Sequence, residues 1–189
     1  MLSGEGADEL FAGYNDYEVP FLHKLYKLLP FCLRHRLYNM SKEKPHFKGR
    51  TIIMKYGEKP ENFYIGQANV MSDEQANSIL QAKYKNAEKA SDLTAKYYDK
   101  VSDMDDASKM LYLDMNMWIV DDILLKADKM TMANSLELRV PFLDKEMWNL
   151  ARRIPIKHKM AKGTTKYAFR KAAERLRSEE RRVGKECRS

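Results

Sequence analysis

Leu2-Ser3-Gly4-Glu5-Gly6-Ala7-Asp8-Glu9-Leu10-Phe11-Ala12-Gly13-Tyr14 opens the chain and governs how the rest is read. Two glycines bracket a glutamate, two more carboxylates follow, and an apolar run begins. Gly4 and Gly6 permit backbone conformations and close ligand approach that a side chain would block. Asp8 and Glu9 stand where a helix would start, the end of the dipole that favours negative charge. The local reading is a glycine turn feeding a helix, with Glu5 exposed in the turn. Such a turn presents backbone N–H groups to an anion. Three carboxylates repel a bare phosphate, but they tolerate one carried with Mg²⁺, which takes one or two carboxylates plus phosphate oxygens. On spacing alone, the same pattern is also ordinary helix-start chemistry.

Outward from this turn the pattern is mostly helical. The first helix is expected to continue from Leu10 to Tyr17. Phe21 to Leu29 has apolar residues at three- and four-residue steps, with Pro30 as its stop, and another helix follows from Phe31 to Met40. Ser72 or Asp73 can cap a helix running to about Ala90. Asp106 to about Leu138 reads as one or two long helices with a Met110, Leu113, Met117, Val120 stripe. Its methionines read as core filler. Pro141 breaks that region. Asp144 can cap Lys145 to Arg153, and Thr164 can cap a last helix from Lys166 to about Leu176. Thr51-Ile52-Ile53-Met54 is the longest candidate strand, and there are no internal repeats.

The chain has 189 residues and a formal net charge of +7. The densest basic cluster, Lys42 to Arg50 around Phe47, resembles a nucleic-acid patch, but Pro45 and Gly49 mark it as a solvated loop, so no nucleic-acid partner is expected. No run reaches the ~18 apolar residues of a membrane span. Cys32 and Cys187 form no disulfide framework, which suits a reducing cytoplasm. His23, His35, His46 and His158 lack partners at metal-ligand spacing.

The opening stretch closely resembles a signature of the synthetase domain of glutamine-hydrolysing asparagine synthetases, a family that includes β-lactam synthetase. A second segment supports it. Asp121-Asp122-Ile123-Leu124-Leu125-Lys126-Ala127-Asp128-Lys129, continuing to Leu136-Glu137-Leu138-Arg139-Val140-Pro141-Phe142-Leu143-Asp144, is similar to the family pattern D-D-x-L-x-K-x-D-(R/K) … S-L-E-x-R-x-P-F-L-D. A third, Lys166-Tyr167-Ala168-Phe169-Arg170-Lys171-Ala172, is similar to its K-x-x-(L/F)-R-x-A helix. The three run in the family's order. Together they frame residues 1–176 as a partial synthetase domain, without the N-terminal glutaminase domain and without the S-G-G-x-D-S pyrophosphate loop. Residues 177–189 are charged, do not resemble the family, and read as a non-native or disordered tail.

The resemblance implies a fold and a reaction. The fold would be a mostly α fragment of an α/β domain of the adenine nucleotide α-hydrolase-like class, with the nucleotide at the carboxyl ends of parallel strands. The reaction would be adenylation of the aspartate side-chain carboxylate by ATP with Mg²⁺. Ammonia from glutamine would then attack the acyl adenylate. Residue by residue, Ser3 and Gly4 match nucleotide-lining positions and Glu5 matches the glutamate of the adenylate step. Asp8 and Glu9 match acidic positions near Mg²⁺–pyrophosphate and aspartate, with Asp8 as the metal ligand. Asp122, Asp128, Lys129, Arg139, Lys166 and Arg170 form a second tier. Within it, Arg139 is expected to ion-pair with Glu137 or Asp144, and Lys166 and Arg170 share a helix face that can meet pyrophosphate. A homodimer of the whole enzyme is a further expectation. Another adenylating amidotransferase, of the β-lactam synthetase kind, and a non-catalytic helical module remain open.

Overall fold

The computed structural model describes residues 1–17, 21–42, 44–45, 47–85 and 88–176. His46, Cys187 and the tail 177–189, on which three expectations fall, lie outside the described residues. Eleven α-helices follow in order among the described residues: α1 Ala7–Phe11, α2 Phe21–Lys27, α3 Phe31–Lys42, α4 Arg50–Tyr56, α5 Asp73–Ile79, α6 Ala90–Tyr98, α7 Asp106–Asn116, α8 Leu125–Met132, α9 Lys145–Ala151, α10 Ile156–Lys159 and α11 Tyr167–Glu174. The described residues contain no strand, only two isolated β-bridges, Leu2 with Arg139 and Ala161 with Thr164. The chain divides into two compact units, one of Met1–Glu18 with Ile123–Ser189 and the other of Val19–Asp122.

In the second unit, α3 and α4 pack side by side. The guanidinium of Arg34 donates to the carbonyls of Leu29 at 3.1 Å and Tyr56 at 2.6 Å. Arg50, from the basic cluster, donates back to the carbonyls of Ser41 and Lys42 and so fastens the loop. Thr51 to Met54 lies inside α4, not in a strand: three β-branched residues, Thr51, Ile52 and Ile53, are a weak preference that packing against α3 overrides. Ser72 does cap α5, in a capping box with Gln75. The helix stops at Ile79, short of Ala90. Its end carries Ser78, whose hydroxyl bonds back to the Gln75 carbonyl at 2.7 Å, and Leu80 is extended at φ −77°, ψ 145°.

The centre of this unit is polar as well as apolar. Asp114 is fully buried beside Leu113. Its carboxylate accepts from the Tyr64 hydroxyl at 2.5 Å and the Gln67 amide at 3.2 Å. The Tyr98 hydroxyl donates to the Tyr64 carbonyl at 2.7 Å. Between α7 and α8, Trp118–Leu124 is a π-helix. Wider π turns rotate the following residues relative to an α-helical register. The expected stripe therefore breaks: Met110 and Leu113 are buried, but Ile119 takes the next core position and Val120 is exposed.

The first unit joins the opening residues to the described residues that follow Asp122. α1 packs on α9 and α11. It does not run to Tyr17, because Ala12 turns left-handed at φ 58°. Asp144 caps α9 as expected, accepting from the Glu146 amide at 2.8 Å. Thr164 does not cap α11. Its backbone is spent on reciprocal bonds with Ala161 at 2.9 and 3.2 Å, and Lys166 stands at the N-cap with φ 52°. Three rings close the core: Phe11 lies 5.2 Å from Phe169 and 6.5 Å from Phe142, and Phe142 lies 5.3 Å from Phe169.

Two outcomes follow from these cores. Phe11→Ala removes a ring that is 3% exposed and is expected to cost about 3–5 kcal/mol in urea unfolding of the first unit. Burial, then the charges of Asp114 and Glu61, push the Tyr98 phenol well above its ordinary 10.0. The folded state thus keeps a proton that the unfolded chain releases. The stabilisation is complete below pH 10 and is lost as pH rises through the folded value. Thermal melts of the chain are expected to fall above pH 10, and less steeply in Tyr98→Phe.

Candidate functional site

All three signature segments meet in the first unit around the glycine turn. The backbone of the opening residues is fixed by Arg139: the Ser3 amide donates to its carbonyl at 2.9 Å, and its amide donates to the Met1 carbonyl at 2.8 Å. The Arg139 side chain pairs with Glu137 at 2.5 Å, as expected, but both are about 70% exposed. Such a pair contributes little, so Arg139 positions the turn through its main chain. Gly6 then turns left-handed at φ 87° beneath Leu143, and a Cβ on Gly6 would lie 2.4 Å from Leu143 Cδ2. The segment ending in Pro141-Phe142-Leu143-Asp144 therefore covers the turn with Leu143 and sets half-buried Phe142 against Phe11 and Phe169.

The three carboxylates of the turn have different surroundings. Glu5 is half-buried, not exposed as its sequence position suggests. Its amide makes a long contact of 3.4 Å to Ser3 Oγ, while its carboxylate takes no hydrogen bond or ion pair from the described residues. Glu9 is 3% exposed and accepts from the Tyr14 hydroxyl at 2.6 Å. Asp8 Oδ1 pairs with Lys166 Nζ at 2.8 Å. The turn's amides are also partly spent within it: that of Ala7 reaches the Gly4 carbonyl at 3.4 Å. The anion-presenting turn is thus less open than expected.

The second tier divides. Lys166 reaches the turn. Arg170, one helical turn on, is exposed and donates Nε–H to the Thr165 carbonyl at 2.9 Å. Asp128 and Lys129 are exposed on α8, and Asp122 belongs to the other unit. Among the described residues no group of three His, Cys, Asp or Glu side chains could hold a metal ion. The metal ligand expected from the sequence, Asp8, already faces an ammonium group. The turn as it stands therefore does not fit Mg²⁺, and no step is assigned to that ion. Nor is any described helix long and apolar enough to cross a membrane.

Two participants escape sequence reasoning. Gly13 is required by space: a Cβ there would lie 1.7 Å from Asp8 Oδ1 and 2.4 Å from Lys166 Cε. Tyr14 holds Glu9. Their only signal was position within the first signature.

Three ordered signatures thus converge on one turn, and comparison with known proteins bears on this arrangement directly. The profile of the family described as Asparagine synthase matches residues 1–182. The chain belongs to this family. It is 43% identical over 174 residues to asparagine synthetase [glutamine-hydrolyzing] 1 of Bacillus subtilis (strain 168), covering 92% of the chain and 27% of that protein. A Mycobacterium bovis (strain ATCC BAA-935 / AF2122/97) protein, provisionally named as a glutamine-hydrolyzing asparagine synthetase, is 41% identical over 175 residues with the same coverage. Asparagine synthetase [glutamine-hydrolyzing] 3 of B. subtilis is 26% identical over 174 residues, covering 92% of the chain and 23% of that protein. The chain thus spans about a quarter of the length of these relatives. No solved structure matches it.

The two glycines make a contrast. Gly6→Ala must adopt a left-handed conformation and displace Leu143, and is expected to cost about 2–3 kcal/mol in urea unfolding. Gly4→Ala meets nothing within 4 Å and should stay within about 0.5 kcal/mol of the parent.

Proposed function

We propose that this chain supplies the carboxylate-activating part of an enzyme that makes asparagine from aspartate and ATP. A side-chain carboxylate oxygen of aspartate attacks the α-phosphorus of ATP. The new P–O bond forms as the bond to the β-phosphate oxygen breaks, and pyrophosphate leaves with that electron pair. Ammonia then attacks the carbonyl carbon of the β-aspartyl adenylate. The C–O bond to AMP breaks, and a proton is lost from nitrogen. The ammonia would come from glutamine, hydrolysed by a part of the longer protein outside this chain. Sparse cysteine usage suits a cytoplasmic setting.

One observation carries the assignment of Glu5. Of the three carboxylates in the turn, Asp8 is engaged by Lys166 and Glu9 by Tyr14. Glu5 alone is held half-buried between two glycines with no partner for its charge among the described residues. A fixed carboxylate of this kind can orient the substrate or accept the proton that ammonia loses. Ser3 and Gly4, on the open side of the turn, are assigned to the nucleotide, since nothing approaches Gly4 within 4 Å.

The test is Glu5→Gln in the full-length protein that carries this segment. Pyrophosphate release from ATP and aspartate is expected to fall about 10²–10⁴-fold while glutamine hydrolysis persists. Unchanged pyrophosphate release with only a lowered melting temperature would make Glu5 a structural residue.

A further inference from the structure

We propose that the corner between α2 and α3 is a docking surface for an anionic lipid bilayer, which it enters from one side without crossing. This goes beyond the activity proposed above and does not depend on it.

The inference starts from where the charge sits. Residues 19–60 carry ten Lys or Arg and two Asp or Glu, a net +8 against +7 for the whole chain. From Val19 to Lys42 there is no acidic residue. Helices α2, α3 and α4 pack on one another, so these charges share one small body. Glu58 is taken by His35 at 3.0 Å, and Lys27 draws Asp106 from outside the stretch at 2.7 Å. Arg36, Lys42, Lys44, Lys48 and Lys59 are exposed. Such a surface draws anions to it over about a Debye length.

The second observation is apolar. Every residue of Leu28-Leu29-Pro30-Phe31-Cys32-Leu33 is exposed. Leu28 is 79% exposed, and Leu25, three positions earlier and so on the same side of the helix, is 56% exposed. The corner thus turns its apolar side chains outward, with cations on both sides of it in sequence. An exposed apolar patch marks an interaction site, and leucines set among Lys and Arg are the pattern of segments that lie in a membrane interface.

The third observation is the backbone. A segment that leaves water must satisfy its peptide groups from within. Pro30 has no N–H, and its carbonyl accepts from the amides of Leu33 and Arg34, each at 3.1 Å. The amides of Leu28 and Leu29 reach the carbonyls of Leu25 and Tyr26 at 3.2 Å. The Leu29 carbonyl, left over where α2 stops, accepts from Arg34 Nε at 3.1 Å, while Nη1 of the same guanidinium donates to the Tyr56 carbonyl at 2.6 Å. Arg34 therefore closes the polar backbone of the corner and pins it to the end of α4. A corner held in this way needs little further ordering to dock.

Together these observations select the occupant. A second copy of the chain would bring the same cations against this surface, and like charges oppose such pairing. A nucleic acid would meet the charge but leave the leucines in water, and Phe31 already stacks on His35 at 5.6 Å. With its backbone satisfied, the corner offers leucine side chains and long cationic ones, which suits a fluid interface better than a shaped protein groove. An anionic bilayer meets both needs. The leucines enter the boundary between headgroups and acyl chains, about 5–10 Å deep. The Lys and Arg stems lie along that boundary and their charges reach the lipid phosphates. No described helix is long and apolar enough to cross, so the contact is one-sided.

Flotation of the 189-residue chain tests this, with vesicles of phosphatidylcholine alone or of equal parts phosphatidylcholine and phosphatidylglycerol. Partition onto the anionic vesicles is expected to be about tenfold higher and to fall with added salt. Leu28→Ser/Leu33→Ser and Arg36→Gln/Lys42→Gln should each lower it several-fold, while Val70→Ser, at an 88% exposed position away from the corner, should not. Circular dichroism of each variant separates lost docking from lost fold. Equal partition onto both vesicles, no partition, or full binding by the leucine variant overturns the proposal. A second measurement places an environment-sensitive dye on exposed Cys32 in a Cys187→Ser chain. Its emission should shift to the blue with the anionic vesicles. No shift overturns the proposal. So does a shift that appears without lipid as protein concentration rises, which gives the corner to a second copy, or one that appears with duplex DNA and not with vesicles.

Discussion

The contact among Phe11, Phe142 and Phe169 is the constraint on which the first unit depends. Each ring comes from a different signature segment, and centroid separations of 5.2 to 6.5 Å place all three in edge or tilted contact. Such geometry adds about 0.5–1.5 kcal/mol per pair beyond area burial. More importantly, it joins segments separated by some 130 and 27 positions in sequence. Without that junction, Leu143 would not lie over Gly6, and Lys166 would not reach Asp8. The glycine turn is shaped from behind by an apolar cluster, and its charged side chains inherit their places from it.

Once three carboxylates are crowded into five residues, electrostatics sets their separate fates. One is buried and must be bonded, since an unpaired charge in a core is costly: Glu9 takes the Tyr14 hydroxyl. One is half-exposed and finds a lysine. The third, Glu5, is left half-buried with its charge uncompensated by the described residues. The other unit solves the same problem differently. Asp114 is fully buried within a network of tyrosine and glutamine donors, a structural arrangement that stiffens the helix pair around Tyr64.

Much of this was legible in the sequence, and for identifiable reasons. Helices α2, α3, α7 and α8 followed from apolar spacing and the caps Ser72 and Asp144 from residue chemistry, whereas α4 read as a strand and α6 was not foreseen. The three signatures pointed to the family, and matching residues 1–182 bears this out. Helix ends were read less well, because they depend on tertiary accidents: the left-handed Ala12, the Ala161–Thr164 bridge that occupies Thr164, and the π turn that exchanges Val120 for Ile119 in the core. Within the site, the sequence could name Glu5, Asp8 and Glu9 but could not separate them. Their surroundings come from Tyr14 five positions away and Lys166 at the far end of the chain. Gly13 was illegible for a similar reason: the side chains that fill its notch belong to other positions. The described residues contain no strand, so the α/β sheet implied by the resemblance is not seen among them.

The direct test of the account is a NOESY spectrum of the 189-residue chain with protonated phenylalanine rings in a deuterated background. Convergence of the three segments predicts ring-to-ring cross-peaks for all three pairs, Phe11 with Phe142, Phe11 with Phe169, and Phe142 with Phe169. Rings that show cross-peaks only to sequence neighbours would contradict it, and with it the assembly of the glycine turn, Leu143 and Lys166 into one site.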